Sequence, residues 1–302
     1  MPKKNNSGNV LQTFLDTCRS NTTGFTHTSI GRPMGKYSVK PIDHETFYKV
    51  YHHTVFKEQN GSTWGRGGED SKVGGQTFLT EGIKDREITP LKIDIDFRYY
   101  NKHCVRMYED EDIDKLCMVY MEKIDEYLEE LEDDERIFYI LEKPTPTFEI
   151  NKKTGEKKKK GSTFRVKDGV HIMAPGITTN VYLQLQFRDH VYKNCSDILD
   201  KYDFDNSYAD IFDRAVIDRN NWQMYGSTKP DQPPYLVKRA IRVWADRVEV
   251  VDDIPSSKKL VKLLSVRNKH ETSLLKPEVE EEVYAPENNK TKSRTISKKK
   301  RN

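Results

Sequence analysis

The segment LKIDIDFRYY carries two aspartates, Asp94 and Asp96, two residues apart inside an apolar run. Residues i and i+2 of a β-strand project to the same face, so the two carboxylates share one face while their apolar neighbours point to a core. Adjacent carboxylates repel each other and need a proton or a cation to be stable together. Carboxylate oxygens, together with a substrate phosphate, suit Mg²⁺ or Mn²⁺. The segment therefore predicts a divalent-metal site on a strand. The same spacing without the apolar context recurs at Asp112/Asp114 and Asp203/Asp205.

The segment FRVKDGVHIMAP combines Lys167 with His171 on a stretch whose apolar residues indicate a strand. A single histidine on a strand is more often a structural residue than a ligand. A lysine and a histidine donor near one another would instead suit the phosphates of a nucleoside triphosphate. From the residues alone, both interpretations of His171 stay open.

The segment IFDRAVIDRNNWQMYGSTKP offers another carboxylate and a phosphate-binding turn. Asp213 and Asp218 each follow two apolar residues, so either is a candidate ligand. The ending GSTK contributes a flexible backbone, hydroxyls that include Ser227, and the cation of Lys229, which favour a phosphate ligand. Another glycine- and lysine-rich stretch, GEKKKKGST at 155–163, lacks the G-K-[ST] ending of a phosphate loop, which argues against a Walker-type ATPase.

In this order the three segments resemble the motifs of the archaeo-eukaryotic primase superfamily. The first family motif, apolar-D-x-[DE], matches Asp94 and Asp96. The second, often K-x-S-x-H, matches Lys167 and His171, with Gly169 in place of the serine. The third, an apolar pair and an aspartate followed by Y-x-S-x-K, matches FDRAVIDRNNWQMYGSTK, without the family's arginine before the tyrosine. The resemblance covers about residues 25–250. It is greatest to the primase domain of the primase–helicases of nucleocytoplasmic large DNA viruses, and the chain is also similar to the eukaryotic primase-polymerase.

The resemblance implies an α+β fold in which an RRM-like catalytic sheet is fused to an N-terminal α/β unit, with the site between them. It implies template-directed nucleotidyl transfer in viral DNA replication, in which a 3′-hydroxyl attacks the α-phosphate of an incoming nucleotide. Two divalent ions, Mg²⁺ or Mn²⁺, would be held by Asp94, Asp96 and Asp213, with Asp218 as the runner-up for the third ligand. The residues implied to hold the triphosphate are Lys167, His171, Ser227 and Lys229.

The same resemblance implies single-stranded DNA template, an NTP or dNTP, and a helicase ATPase in cis or in trans as partners. Basic side chains that would follow the template phosphates are Arg32, Lys36, Arg66 and Arg98, each with a plain surface or salt-bridge alternative. Two other functions remain open. A metal-dependent phosphodiesterase or nuclease would use the same carboxylates without a triphosphate clamp. A non-catalytic nucleic-acid-binding module would keep clustered acids that are costly without a metal.

Composition excludes several classes of protein. Of the 302 residues, 35% are hydrophobic and 33% are charged, against roughly 45–50% and 25% in typical domains. No apolar run approaches the ~18 residues of a membrane helix, and the N-terminus has no signal-peptide segment. We therefore expect an intracellular protein and not a secreted one. The resemblance to viral primase–helicases implies the host cytoplasm (a viral factory) or nucleus. The four cysteines form no C-x-x-C pair, which predicts reduced thiols and no structural zinc.

Periodicity predicts helices over Ile42–Phe56, Asp112–Leu131 and Asn180–Leu199, and strands that include Leu91–Phe97, Arg136–Leu141 and Gly169–Ala174. The basic run 152–160 is predicted to be a hairpin turn between strands. Helices and strands without strict alternation indicate an α+β domain. The predicted organisation is a disordered segment at 1–9, a catalytic domain of two packed α/β subunits at 10–265, and a charged, largely disordered tail at 266–302. Its last part, 287–302, holds seven bases and one acid and is expected to attract nucleic acid in a salt-dependent way.

Overall fold

The computed structural model describes residues 10–57, 77–84, 86, 88–268 and 271–284. Their strands form two antiparallel sheets, and helices cover them. The strands are β1 His27–Ser29, β2 Gly35–Tyr37, β3 Leu79–Glu81, β4 Ile88–Asn101, β5 Ile137–Glu142, β6 Thr147–Phe148, β7 Lys159–Lys160, β8 Thr163–Asn180, β9 Trp222–Gln223, β10 Leu236–Val243 and β11 Val248–Val251. The helices are α1 Val10–Thr17, α2 His44–His52, α3 Asp110–Tyr127, α4 Val181–Asn194, α5 Ser196–Leu199, α6 Tyr208–Ile211, α7 Ala215–Asp218, α8 Ser257–Leu263 and α9 Pro277–Tyr284.

The large sheet has the strand order β11-β10-β5-β8-β4, with β6 and β7 paired to the start of β8. The long strand β8 pairs antiparallel with both β4 and β5. Strands β4 and β5 therefore run parallel to each other, joined by the crossover helix α3. This split β-α-β unit, with β8 inserted between its strands, is the frame of the sheet.

The two faces of the large sheet belong to different cores. Alternate residues of β4, including Ile93, Ile95 and Phe97, are buried at 3% exposure or less and pack with the apolar residues of α3 and α4. The opposite face contributes Leu141 and Met173 to a second core, which also contains residues of α1, α2 and α8. The period-2 alternation predicted for Leu91–Phe97 is confirmed, because the aspartates between these apolar residues are turned away from the α3/α4 core.

Local sequence explains where the two main helices begin. Helix α3 starts with a capping box, in which the side chains of Glu109 and Asp112 each accept a hydrogen bond from the other residue's backbone N–H, and its acidic first turn complements the positive end of the helix dipole. Helix α4 is capped by the side chain of Asn180, which accepts a 2.9 Å hydrogen bond from the Leu183 backbone N–H. The helix predicted over 180–199 is confirmed as α4 followed by the short helix α5. The helix predicted over 112–131 is confirmed as α3 up to Tyr127, after which Leu128 is extended and bridges Leu275.

The small sheet has the order β2-β1-β3-β9, and its last strand comes from a distant part of the chain. Strand β9, at Trp222, pairs with β3 at Glu81. This pairing carries the third sequence segment back onto the N-terminal unit. The predicted helix over 42–56 is confirmed as α2 with short turns on either side, and the basic run lies in a hairpin in which Ile150 pairs with Lys157.

The predicted tail at 266–302 begins too early, because the packed structure continues well past residue 265. Val266 is fully buried, and its backbone N–H donates to the carboxylate of Glu81 at 2.9 Å. Farther on, Leu275 forms a bridge with Leu128, and Val279 is 6% exposed. Isolated apolar residues in a charged stretch were enough to dock it against the end of α3. The predicted disordered segment 1–9 and the basic segment 287–302 lie outside the described residues.

Lys92 is a charged residue buried in the large sheet, and it allows a stability prediction. Its side chain is 1% exposed, and its ammonium donates to the Thr89 hydroxyl (3.0 Å) and the Gln184 amide oxygen (3.3 Å). Burial lowers the pKa of Lys92 to about 7. Between about pH 7 and its usual pKa, the unfolded chain therefore holds a proton that the folded protein lacks, and stability rises with pH there by at most about 1.4 kcal/mol per unit.

We expect Lys92→Met to raise the free energy of unfolding at pH 7 by about 1–4 kcal/mol, because a buried cation without a counter-charge is replaced by an apolar chain. The measurement is urea unfolding of wild type and variant from pH 6 to pH 10 with EDTA present. The stability difference should shrink as the pH rises. A constant difference would show that Lys92 stays charged in the fold.

Candidate active site

The central pair of the site lies on β4. Asp94 and Asp96 project from the face opposite the α3/α4 core, and their side chains are 13% and 31% exposed. Asp96 accepts a 3.0 Å hydrogen bond from Arg98, so this predicted template contact is engaged with a site carboxylate. The two acids are therefore on one face, as their spacing predicted.

Asp213 is brought to the same place by the chain that leads into α7. Its backbone N–H donates to the carbonyl of Asp94 at 2.9 Å, and the preceding residue, Phe212, bridges Ile95. The Asp213 carboxylate accepts a 2.8 Å bond from the N–H of Ala215, which fixes the start of the helix. Asp218 instead pairs with Arg214 and Arg219 on the far end of the same turn. The structure thus places Asp213, rather than Asp218, beside Asp94.

Asp94 is held in an electrostatically unfavourable position. The pKa of Asp94 is raised to about 8. Burial is the largest cause, and repulsion from Asp96 and Asp213 adds to it. The attraction of Lys229 and Lys143 acts in the opposite direction. Its Oδ1 atom is buried, and in the described residues it has no hydrogen-bond partner. A buried carboxylate oxygen without a hydrogen-bond donor is energetically costly. This atom is therefore suited to bind a cation.

His171 stands opposite Asp94 in the register of β4 and β8. Its Nε2 is 3.6 Å from Asp94 Oδ1, and its ring stacks on Tyr235 with a centroid distance of 3.7 Å and lies 4.8 Å from the Trp222 ring. Burial, and then repulsion from Lys229 and Lys143, holds its pKa well below the usual value. The histidine is therefore a neutral imidazole in a fixed plane, and one ring N–H remains a donor.

Three lysines surround these groups, and the sequence reasoning missed one of them. The predicted residues are Lys167, opposite Arg98 in the register, and Lys229, which lines the cleft beside Asp94. The third is Lys143, just after β5, whose ammonium is 4.9 Å from the centroid of the Tyr235 ring. Burial and the repulsion of the other two lysines lower the pKa of Lys143 to about 8. The sequence feature that could have indicated Lys143 is a single lysine directly after an apolar strand.

The turn that carries Lys229 is fixed by its small residues. Gly226 has φ +79°, and a Cβ there would meet the Phe56 ring at 2.7 Å, so only glycine fits. Ser227 is fully buried, and its hydroxyl donates to the carbonyl of Thr77 at 3.0 Å. In this conformation the Ser227 hydroxyl, a predicted nucleotide contact, is bonded to the protein backbone. Lys229, by contrast, lines the cleft.

Gly169 is required by close packing rather than by a turn. It stands opposite Asp96, and a Cβ there would lie 2.7 Å from the carbonyl oxygen of Ile95 and 3.1 Å from the Tyr235 hydroxyl. The space that a side chain would need is therefore filled by the backbone of β4 and by Tyr235.

The other predicted template contacts are spread over the N-terminal unit. The Lys36 ammonium lies 5.0 Å from the ring centroid of Phe25, which lines the cleft at Asp94. Arg32 lines a separate small cavity with Leu11 and Phe78. Arg66 lies outside the described residues.

Two cavities meet at the carboxylates. The first, of about 420 Å³, lies between the sheets, and its walls include Asp94, His171 and Lys229 on one side and Thr28, Thr80 and Trp222 on the other. The second, of about 480 Å³, is a polar groove on the other side of Asp96; its arginines are Arg98, Arg165, Arg214 and Arg219. Asp213 and Arg219 line both cavities. The carboxylates therefore face two ligand-sized spaces at once.

The donor set suits a hard divalent cation. Asp94, Asp96 and Asp213 supply only carboxylate oxygens, the ligands of Mg²⁺ and Mn²⁺, and the unpartnered Oδ1 of Asp94 fits such a role. As the side chains stand, no three His, Cys, Asp or Glu groups of the described ranges already surround a common metal position. Binding a metal would therefore need rotamer changes, such as the release of Asp96 from Arg98.

Comparison with known proteins places this chain in a family. Residues 69–241 match the family described as "C962R protein N-terminal AEP domain", where AEP stands for archaeo-eukaryotic primase. The chain belongs to the archaeo-eukaryotic primase superfamily. All three predicted segments fall inside the matched range, so the resemblance drawn from them is confirmed at the level of the family.

A relative of this primase-family chain is a viral protein. The protein of Acanthamoeba polyphaga mimivirus named "Putative helicase L207/L206" is 27% identical over 243 residues, which is 78% of this chain. The chain spans about a fifth of that protein's length, since the aligned part is 22% of it.

Among the described residues, no helix is both long and apolar enough to cross a membrane.

Proposed function

We propose that this primase-family domain is a DNA primase or primase-polymerase that carries out template-directed nucleotidyl transfer. The observation that carries the proposal is the arrangement around Asp94: acids on one strand face, lysines facing them, and a cavity on either side. A polymerising site must hold a triphosphate and a strand terminus on opposite sides of the reacting phosphorus. The cleft and the arginine-lined groove offer two such spaces that share Asp213.

In this proposal the cleft takes the incoming NTP or dNTP. Lys229 and Lys167 would neutralise its phosphates, and the neutral His171, held in plane by Tyr235, would donate its N–H to a phosphate oxygen. Asp94, Asp96 and Asp213 would hold two Mg²⁺ or Mn²⁺ ions, which stabilise the attacking and leaving oxygens when they are bound. The protein's part is mainly positioning and charge neutralisation.

The groove would take the strand that supplies the 3′-hydroxyl. Arg214 and Arg219 are 53% and 65% exposed at its mouth and both pair with Asp218, so they are accessible to phosphates. Attack of the 3′-oxygen forms the new bond to the α-phosphorus as the bond to the pyrophosphate breaks. Extension of a bound strand and de novo primer formation use the same geometry.

The RRM-like description of the catalytic sheet is also part of the proposal. It is supported by the split β-α-β unit of β4, α3 and β5 with β8 between the strands. The fourth strand, β10, pairs with β5, at the edge of this unit farthest from β4.

The mimivirus relative bears a helicase name, and this chain matches only part of it. We propose that the domain works beside a helicase ATPase, in cis or in trans, on single-stranded DNA in viral replication. A metal-dependent nuclease is less well supported, because it has no need for lysines around the carboxylates. A non-catalytic binding module is less well supported because Asp94 would keep an unpartnered buried oxygen.

The decisive assay is primer synthesis on single-stranded templates with labelled NTPs or dNTPs, with and without Mn²⁺. Template-dependent products would support the proposal. Degradation of the template without synthesis would favour the nuclease, and binding without either reaction would favour the non-catalytic module.

We expect Lys229→Ala or His171→Ala to raise the Michaelis constant for the incoming nucleotide about ten- to hundredfold, or to lower turnover if the contact tightens in the transition state. A charge-assisted hydrogen bond to phosphate is worth roughly 1.5–3 kcal/mol. Both constants should be measured together with template affinity, which should stay unchanged, and Lys193→Ala on α4 serves as the control. Weakened template binding with normal nucleotide kinetics would move these residues out of the nucleotide site.

A further inference from the structure

One row of residues crosses the large sheet through the site. The pairs Leu236–Glu142, Glu142–Val170 and Gly169–Asp96 set the register of β10, β5, β8 and β4. Extending the first two pairings by one residue puts Lys143 between Tyr235 of the β10 side and Gly169 of β8. Gly169 in turn pairs with Asp96. Cross-strand neighbours share a face, and the row two residues away, which contains Leu141, His171 and Asp94, lies on the same face. The register therefore puts Lys143 on the site face, across a glycine from Asp96.

Lys143 makes no direct ion pair in the described part of the chain, although Asp96 and Asp94 attract its charge from farther away. The adjacent carboxylate, Glu142, already pairs with Arg106 and Lys238, and Asp168 pairs with Arg106 at 2.9 Å. In the described part of the chain, no carboxylate lies within ion-pairing distance of the Lys143 ammonium, which contacts the Tyr235 ring. A half-buried cation without a partner is unfavourable unless an anion completes its surroundings.

The position of Lys143 is fixed independently of any ligand. Its carbonyl oxygen accepts a 3.1 Å hydrogen bond from the Arg106 guanidinium, which anchors the chain where β5 ends. The Tyr235 ring is stacked on His171, and its centroid lies 4.9 Å from the Lys143 ammonium. Gly169, between Lys143 and Asp96 in the register, has no side chain, and the Tyr235 hydroxyl occupies the space beside it. The ammonium is thus presented to the same region as Lys167 and Lys229.

We propose that Lys143 is a third cationic ligand of the nucleotide and binds the triphosphate together with Lys167 and Lys229. This inference rests on the proposed function. The ligand class is a polyphosphate. With divalent ions bound to the three carboxylates, the three ammonium groups would need several further negative charges, which a nucleoside monophosphate or a template backbone would not supply at one point.

The test compares Lys143→Met, which removes the charge and keeps the length, with Lys143→Arg, which keeps the charge. The control is Lys115→Met, a lysine on α3 that is 48% exposed. Calorimetry with ATP, AMP and inorganic tripolyphosphate in the presence of Mg²⁺ measures nucleotide affinity. Fluorescence anisotropy with labelled single-stranded DNA measures template affinity, and thermal unfolding checks the fold.

We expect Lys143→Met to weaken ATP and tripolyphosphate about tenfold or more, and to leave AMP and DNA affinity and the melting temperature without ligand unchanged or slightly raised. Lys143→Arg and Lys115→Met should stay within about threefold of wild type. Normal ATP affinity in Lys143→Met, with a loss in Lys229→Met, would overturn the role of Lys143 alone. Weakened DNA binding with normal ATP affinity would do the same. A wild type that binds neither ATP nor tripolyphosphate and extends no primer would overturn the proposed function itself.

Discussion

Asp94→Asn is expected to reduce primer extension by at least about a thousandfold while the protein stays folded. The change keeps the shape of the side chain but removes the charge of a carboxylate whose Oδ1 has no hydrogen-bond partner in the described structure. Loss of an essential metal ligand should cost several kcal/mol of transition-state stabilisation, and about 1.4 kcal/mol corresponds to each factor of ten. Asp96→Asn should have an effect of the same order.

The fold of the Asp94→Asn protein supplies the second measurement. Since a buried carboxylate without a donor is unfavourable, the metal-free variant should melt at or above the temperature of the metal-free wild type. Asp203→Asn is the matched control, because Asp203 belongs to another D-x-D pair but is exposed. Extension at near wild-type rate by the Asp94→Asn/Asp96→Asn double variant would end the two-metal proposal.

Asp213→Asn is expected to lower turnover by at least about a hundredfold, whereas Asp218→Asn should stay within about threefold of wild type. The reason is position: the backbone of Asp213 is bonded to that of Asp94 at 2.9 Å, and Asp213 lines both cavities. Asp218 points to two arginines at the end of the same short helix.

The two variants are best compared by single-turnover extension of a preformed primer with saturating nucleotide, so that binding defects do not hide a chemical one. Mn²⁺ titration of each variant adds a second readout, since a lost ligand should raise the metal concentration needed for half-maximal rate. If Asp218→Asn abolishes extension and Asp213→Asn does not, the third ligand lies five residues farther along the chain.

The sequence by itself determined the parts of the site that depend on local periodicity and on motif order. The alternation in LKIDIDFRYY predicted that Asp94 and Asp96 share a strand face, and β4 has this geometry because side chains alternate on any strand. The resemblance to the primase motifs favoured Asp213 over Asp218 as the third carboxylate, and in the structure Asp213 lies beside Asp94. The apolar stripes of α3 and α4 were readable for the same reason, since a helix buries residues at a fixed period.

Only the tertiary structure decided which distant residues complete the site. Lys143 lies outside all three motifs in the chain. The register of β5 with β8 puts it on the face that carries Lys167, and Lys229 is near enough to repel its charge. Tyr235 fills the space beside Gly169, and Ser227 turns inward to Thr77. Residues 271–280 dock on the domain although their composition resembles a tail. Each of these outcomes depends on contacts between segments that are remote in sequence, where strand pairing and packing, rather than local pattern, set the position of a side chain.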